Sequence, residues 1–339
     1  MLQNNLLRTM IFTCCTLVAI STQARAEVSK VVLAKQQTLA FLPAIVMEHE
    51  KLLEKHLKEA GLGNVPVTWA TFAGGNTAID AMLSGSLQFA FTGITPFITL
   101  WAKTVGTNQA IKGVAALSAQ PEYINTRDPN VKSLRDFTDK NKIAVPAVKV
   151  STQAVFLQMA AAKLYGDSNY TKLDRFTVSM SQPDATTAVL SGKSEVDTAF
   201  VSQPFTFILQ KSPEIHTIFN SFDMLGGPAT LTMVWASTRF HDQNPKTYAA
   251  FLAAYTEAIQ LVNTNKEEAA KIYLAASGDK LPIKDIVSIL SDPQVTYSMT
   301  PQNVMKSVDF MHRIGTIKGN PPASWKDLWF SNIHNLAGS

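Results

Sequence analysis

One phrase occurs twice in the chain. Residues 76–97 read NTAIDAMLSGSLQFAFTGITPF, and residues 184–205 read DATTAVLSGKSEVDTAFVSQPF. Each copy runs through a short helical stretch into Leu-Ser-Gly, at Leu83-Ser84-Gly85 and Leu190-Ser191-Gly192. An apolar strand follows, with Ala90-Phe91 in one copy and Ala199-Phe200 in the other, then a polar loop closing on Pro96-Phe97 or Pro204-Phe205. From Leu-Ser-Gly to Pro-Phe the second copy carries one inserted residue. Their separation far exceeds a solenoid period of roughly 20–50 residues. Two similar α/β lobes, each presenting the same helix–strand–loop unit, account for it. Paired lobes with matching loops enclose a cleft, and clefts between domains are preferred ligand sites.

The hydrophobic pattern around the copies supports two lobes. Val31 to Ala34, Val65 to Phe72 and Leu87 to Phe91 read as strands. Between them lie a helical run from Leu42 to Leu57 and another from Thr77 to Leu83. Strand–helix alternation of this kind predicts a mostly parallel sheet flanked by helices. Ile111 to Leu117 is a further strand, and Ser133 reads as a helix cap. Lys142 to Pro146, a helix from Val150 to Leu164, and Phe176 to Met180 then build a second βαβ unit around the second copy. After Gly226-Gly227-Pro228, Leu231 to Ala236 is a strand. The remainder is mainly helical: Tyr248 to Val262, Lys266 to Ala276, Ile283 to Leu290 and Pro301 to Ile314. The expected fold class is α/β with two lobes and a C-terminal helical segment covering the first. Lobe 1 takes residues 27–118 plus 225–339, and lobe 2 takes 119–224. The chain then crosses between lobes near 117–122 and 221–227, a hinge pair suited to closure around a ligand.

Residues 1–26 stand apart. Met10 to Ile20 is apolar but too short to span a bilayer, and Ala24-Arg25-Ala26 precedes Glu27 as an Ala-x-Ala cleavage site. This predicts a secretory signal peptide and a secreted protein beginning at Glu27. The 2 cysteines, Cys14 and Cys15, fall inside that leader, and Ile11-Phe12-Thr13 is a poor lipobox. The secreted chain then has no disulfide, thiolate nucleophile or cysteine metal site. Of the formal charge of +4, Arg8 and Arg25 belong to the leader, and the remaining cations are scattered among acids. That balance does not suit a nucleic-acid partner. Lys51, Glu54, Lys55, Lys58 and Glu59 read as one solvated helix face.

Four loops sit where strands end and helices begin: Gln36-Gln37-Thr38, Gly74-Gly75-Asn76, Thr92-Gly93-Ile94-Thr95 and Lys149-Val150-Ser151-Thr152-Gln153. Ligands of open parallel sheets bind beyond the strand C-terminal ends. Helix N-termini there offer unpaired N–H groups and partial positive charge, while hydroxyls and amides add direction. The set suits a small anion such as a sulfonate, nitrate or carboxylate. Taken singly, Thr38, Asn76 and Ser151 also read as plain N-caps. Phe72, Phe97, Trp101 and Phe205 stand near the loops, as core or as an apolar wall. Catalytic patterns are thin. The histidines His49, His56, His216, His241, His312 and His334 form no His-Glu-x-x-His pair. No Gly-x-Ser-x-Gly elbow occurs, and Asp184 reads as serving its helix N-terminus. No enzyme, metal or cofactor is expected.

The leader, the Gly-Gly-Asn turn before a helix ending Leu-Ser-Gly, Val-Ser-Thr opening the second lobe's helix, and Asp-Ala-Thr-Thr-Ala-Val-Leu-Ser-Gly before a strand ending near Gln-Pro-Phe together resemble periplasmic substrate-binding proteins of ABC importers. The similar class binds nitrate, sulfonates or taurine and includes thiamine-pyrimidine binders. The resemblance implies a monomer of two lobes that close over a small-molecule ligand and dock on ABC permease membrane subunits. By that match Gln37, Thr38, Gly75, Asn76, Thr92, Gly93, Ser151, Thr152 and Gln203 face the cleft. Sulfonate binders commonly show Gly-Ser at the second lobe's helix start, whereas Val150 precedes Ser151 here. The related thiamine-pyrimidine synthases use a cysteine-rich motif and iron, which the expected secreted chain, without Cys14 and Cys15, cannot supply. A secreted enzyme with a polar cleft and a sensor subunit are the remaining alternatives.

Overall fold

A computed structural model describes residues 27–71 and 75–339, side chains excepted at 75–77. The leader expected over 1–26, and Phe72, lie outside the described residues. Among the described residues, eleven strands run in chain order: β1 (Val31–Lys35), β2 (Val67–Thr71), β3 (Phe89–Gly93), β4 (Ile111–Ala119), β5 (Tyr123–Thr126), β6 (Ile143–Val145), β7 (Thr177–Ser179), β8 (Thr198–Val201), β9 (His216–Asn220), β10 (Thr230–Ser237) and β11 (Thr296–Tyr297). They form two sheets, ordered β11-β4-β10-β3-β1-β2 and β7-β6-β8-β5-β9. The α/β class with two helix-flanked sheets is as the sequence predicted.

The two sheets follow one plan. β2-β1-β3 and β7-β6-β8 are each three parallel strands. An antiparallel strand then pairs with the third, β10 against β3 and β5 against β8. The repeated phrase occupies equivalent places, since β3 and β8 are those third strands. Each sheet is therefore mixed. The antiparallel member is the first strand after a crossing, so it enters its sheet from the opposite end.

Some local expectations shift. The helical run from Leu42 to Leu57 is two helices, Leu42–His49 and Leu52–Glu59, because Lys51 takes a left-handed φ of 51°. Ser133 caps no helix. The Asp136 carboxylate instead accepts from the Lys132 and Ser133 amides and closes a turn. The last long helix begins at Val304 rather than Pro301, since Asn303 has a φ of 50°. Lys55 stays on the exposed helix face, as expected, and pairs there with Glu257 at 2.8 Å.

The first sheet's core is aromatic. Phe89 of β3 stacks on Phe251 with centroids 3.8 Å apart, and Phe91 lies against Phe251 and Tyr255. Phe251 and Tyr255 belong to the helix Pro245–Thr264, which packs on Leu42–His49 and Leu52–Glu59. Phe97, Trp101 and Phe205 are buried, with Phe97 against Trp235 and Trp329. Gly227, at the second crossing, has a φ of 134°, and a Cβ there meets nothing within 4 Å. Its requirement for glycine is purely conformational. Gly227→Ala should therefore cost roughly 1–3 kcal/mol in urea denaturation, the range for backbone held in a sparsely populated region. An unchanged midpoint would show that the crossing relaxes freely.

Candidate functional site

The C-terminal ends of the parallel strands of both sheets face one another. The space between them is nearly shut: a cavity of about 20 Å³ remains, lined by Gln36, Phe41, Gly93, Pro96, Pro146, Ser151, Thr152, Gln153, Gln182, Ser202, Leu231 and Thr232. That is room for about one water. A wider mouth of about 230 Å³ adjoins it, with Gln36, Gln37, Thr38 and Thr71 on one side and Ser181, Gln182 and Pro183 on the other. The two volumes share Gln36 and Gln182. A larger groove of about 550 Å³ follows the edge strand β9 and gathers residues of the second sheet's lobe alone.

Three helices point their N-termini here. Ile94–Thr104 begins directly after β3, and its Gly93 N-cap supplies no side-chain bond. Thr152–Tyr165 is capped by Ser151 Oγ, which accepts from the Ala154 amide at 3.2 Å. Gln182–Ser191 is capped by Ser181, which also bonds the Asp184 carboxylate. The partial positive charge of each helix start favours anions. The cavity and mouth are lined by no charged side chain among the described residues. Lys35, buried at the end of β1, is paired with Glu48 at 3.0 Å and donates to Gln37 Oε1 at 3.1 Å.

The lobes touch directly. The Leu39 amide donates to the Gln203 carbonyl at 3.0 Å, and Thr95 Oγ1 to the Val150 carbonyl at 3.1 Å. Gly93 faces Thr152 so closely that a Cβ on Gly93 would lie 2.2 Å from Thr152 Oγ1. Gly93 has an ordinary extended backbone, with φ at −65°. Its glycine is required by the approach of the other lobe.

The residues expected at the cleft divide. Gln37, Thr38, Gly93, Ser151 and Thr152 line the cavity or its mouth. Thr38 Oγ1 and Thr152 Oγ1 are buried without a partner. Thr92 does not line it: its hydroxyl accepts from Trp235 Nε1 at 2.8 Å and donates to the Gly93 carbonyl. Gln203 meets the other lobe through its carbonyl, while its side chain accepts from the Phe207 amide. Gly75 and Asn76 open the helix Gly75–Leu83, and their side chains lie outside the described residues.

Sequence reading missed Gln182, Ser202 and Glu122. The Gln182 carbonyl oxygen accepts from the Ser202 amide at 2.7 Å. Gln153 Nε2 donates to Glu122 Oε2 at 2.7 Å and reaches Ser202 Oγ at 3.3 Å. Ser202 Oγ also donates to Glu122, at 2.9 Å. One side of each amide is thereby committed, leaving the Gln153 carbonyl and the Gln182 NH₂ for a ligand. The repeat held the missing signal. Gln182 opens the helix after β7 as Gly75 opens the helix after β2, and Ser202 stands two residues past Ala199-Phe200 as Gly93 stands two past Ala90-Phe91.

A model of the NMT1-like family matches residues 24–276. The chain belongs to the NMT1-like family. No curated protein matches it in sequence. Solved structures show that this family member has the fold of periplasmic binding proteins. The alkanesulfonate-binding protein SsuA from Xanthomonas axonopodis pv. citri bound to MOPS is similar with a TM-score of 0.67 at 18% identity, over 87% of this chain and 96% of that one. The periplasmic aliphatic sulphonate binding protein SsuA from Escherichia coli gives 0.61 at 18%, over 87% and 94%. The periplasmic nitrate-binding protein NrtA from Synechocystis gives 0.65 at 17%, over 87% and 83%. Within this NMT1-like chain no described helix is long and apolar enough to cross a membrane, and no cluster of His, Cys, Asp and Glu suited to a metal occurs among the described residues.

The Gly93–Thr152 approach makes a direct test. Gly93→Ala should wedge the lobes apart and raise the radius of gyration in small-angle scattering. Adding Thr152→Ala should restore the compact value, because it removes the atom that clashes. A single variant as compact as the unaltered chain would show that this contact does not limit closure.

Proposed function

We propose that this protein is the periplasmic solute-binding component of an ABC importer, holding a small organic anion between its lobes. The observation that carries the reading is the shared, uncharged cleft. Residues from both sheets line one cavity, and three helix N-termini converge on it. Such a lining stabilises an oxyanion through N–H groups and hydroxyls without a cation. The sulfonate and nitrate ligands named for the structural neighbours are of that kind, and taurine belongs to the same chemical class. Lobe 1 comprises 27–118 plus 225–339 and lobe 2 comprises 119–224, hinged near 117–122 and 221–227. The leader directs the chain to the periplasm, where it works as a monomer and hands its ligand to permease subunits. The ligand leaves chemically unchanged.

A second reading has its own observation. The uncommitted carbonyl of Gln153 and NH₂ of Gln182 stand on one wall, an acceptor and a donor that match the edge of a pyrimidine-like heterocycle.

A thermal-shift screen of alkanesulfonates, taurine, nitrate, carboxylates and pyrimidines decides between them. A ligand at 100 times its Kd adds about 2.7 kcal/mol of stability. With the ligand found, Thr152→Ala and Gln182→Ala should each weaken binding about tenfold or more in calorimetry, the effect of removing a buried polar partner worth roughly 1–3 kcal/mol. Lys58→Ala, on the exposed helix face, should leave affinity unchanged. Full affinity in both cleft variants would remove this site, and a product in place of recovered ligand would remove the binding-protein reading.

A further inference from the structure

Behind the cavity wall lies a carboxyl that ligand binding does not use. Glu122 is 0% exposed. Its Oε2 accepts from Gln153 and Ser202, and its Oε1 has no partner. Gln120, on the same crossing, is also buried, with neither side-chain polar atom partnered. The Glu122 amide donates to Ser221 Oγ at 2.8 Å, and the Ser221 amide returns a bond to the Glu122 carbonyl at 2.9 Å. Glu122 therefore sits where the two crossings meet, at the pivot between the lobes.

Among the described residues no cation pairs with this group. The helix Thr152–Tyr165 offers the carboxyl Gln153 and the loop after β8 offers it Ser202, while Ser221 of the helix Ser221–Leu225 bonds only the Glu122 backbone. The ionisable groups nearby are acids: the Tyr123 phenol, whose proton Glu122 helps to hold, and Asp223 and Asp292 beside that phenol. Burial pushes the Glu122 carboxyl up to about 8, against the pull of its hydrogen bonds from Ser202 and Gln153. Gln153 and Ser202 also line the cavity, so separation of the lobes brings water to them and to the carboxyl behind them.

From this geometry we infer that Glu122 is a proton-linked pivot: its carboxyl holds a proton while the cleft is closed and releases it to water on opening. The inference rests on the reading of the cleft as a site that closes. Closure then takes up one proton from solvent onto a carboxylate oxygen. Between the ordinary carboxyl value of 4.5 and about 8, the closed-to-open ratio falls as pH rises, up to about tenfold per pH unit. Below that window both forms are protonated, above it neither is, and the dependence levels off.

Two measurements on the ligand-free protein test this, so a failed ligand screen leaves them standing. Infrared spectra at about pH 6 should show a protonated-carboxyl carbonyl band that vanishes above about 8 and is missing in Glu122→Gln. Small-angle scattering should show the radius of gyration growing with pH from about 4.5 to about 8, while Glu122→Gln stays compact throughout. The amide keeps an acceptor for Gln153 and Ser202 without a titrating proton. Absence of the band, a band retained in the variant, or a radius independent of pH in the unaltered chain would each overturn the proposal.

Discussion

The architecture depends on β10 lying antiparallel between β3 and β4. The second crossing delivers the chain back into the middle of the first sheet, so that sheet is complete only when residues far apart in sequence have paired. Buried polar groups hold the junction. Ser118 and Thr232 hydroxyls lie 2.6 Å apart, Thr232 donates to the Ala40 carbonyl, and the Trp235 indole donates to Thr92. Each of these groups would be costly to bury unpaired. The pairing fixes the end of β3, and with it the Gly93 turn that meets Thr152.

The cleft then depends on closeness. Gly93 permits the second lobe's helix start to approach, and the carbonyls of Val150 and Gln203 receive bonds from Thr95 and Leu39 across the gap. Among the described residues, charge lining the cleft is limited to helix dipoles, and Lys35 nearby is paired with Glu48. Dipoles in a space nearly free of water act strongly on a small ligand. Glu122 stands behind the same wall and opposes negative charge when ionised. In the proposed reading, protonation of the pivot and capture of an anion in the cleft are two aspects of one electrostatic arrangement.

Part of the cavity lining could be read beforehand, and the limits of that reading have physical reasons. Gln37, Thr38, Gly93, Ser151 and Thr152 follow parallel strands, and strand–helix junctions are visible as polar or glycine-rich breaks in apolar periodicity. Thr92 carries the same signal, yet its hydroxyl turns inward to Trp235, a partner that only the pairing of β10 with β3 brings near. Gln182 stands at such a junction too, after the strand read over Phe176 to Met180, but its side chain is tied to the cavity wall only through the Ser202 amide, which tertiary structure brings near. Glu122 precedes β5, a strand of four residues without clear alternation. Nothing local distinguishes it from a surface acid.

The sequence by itself determined the two α/β units, their equivalent third strands and the polar loops that end them, because helical and strand periodicities and N-cap chemistry are local properties of the chain. It also carried the family, through the order of those loops. Tertiary structure alone decided which loop residues look outward, how close the lobes come, and that a glutamate is shut away without a cation. Those properties arise from contacts between residues distant along the chain, and burial of Glu122 follows from two crossings meeting at one point.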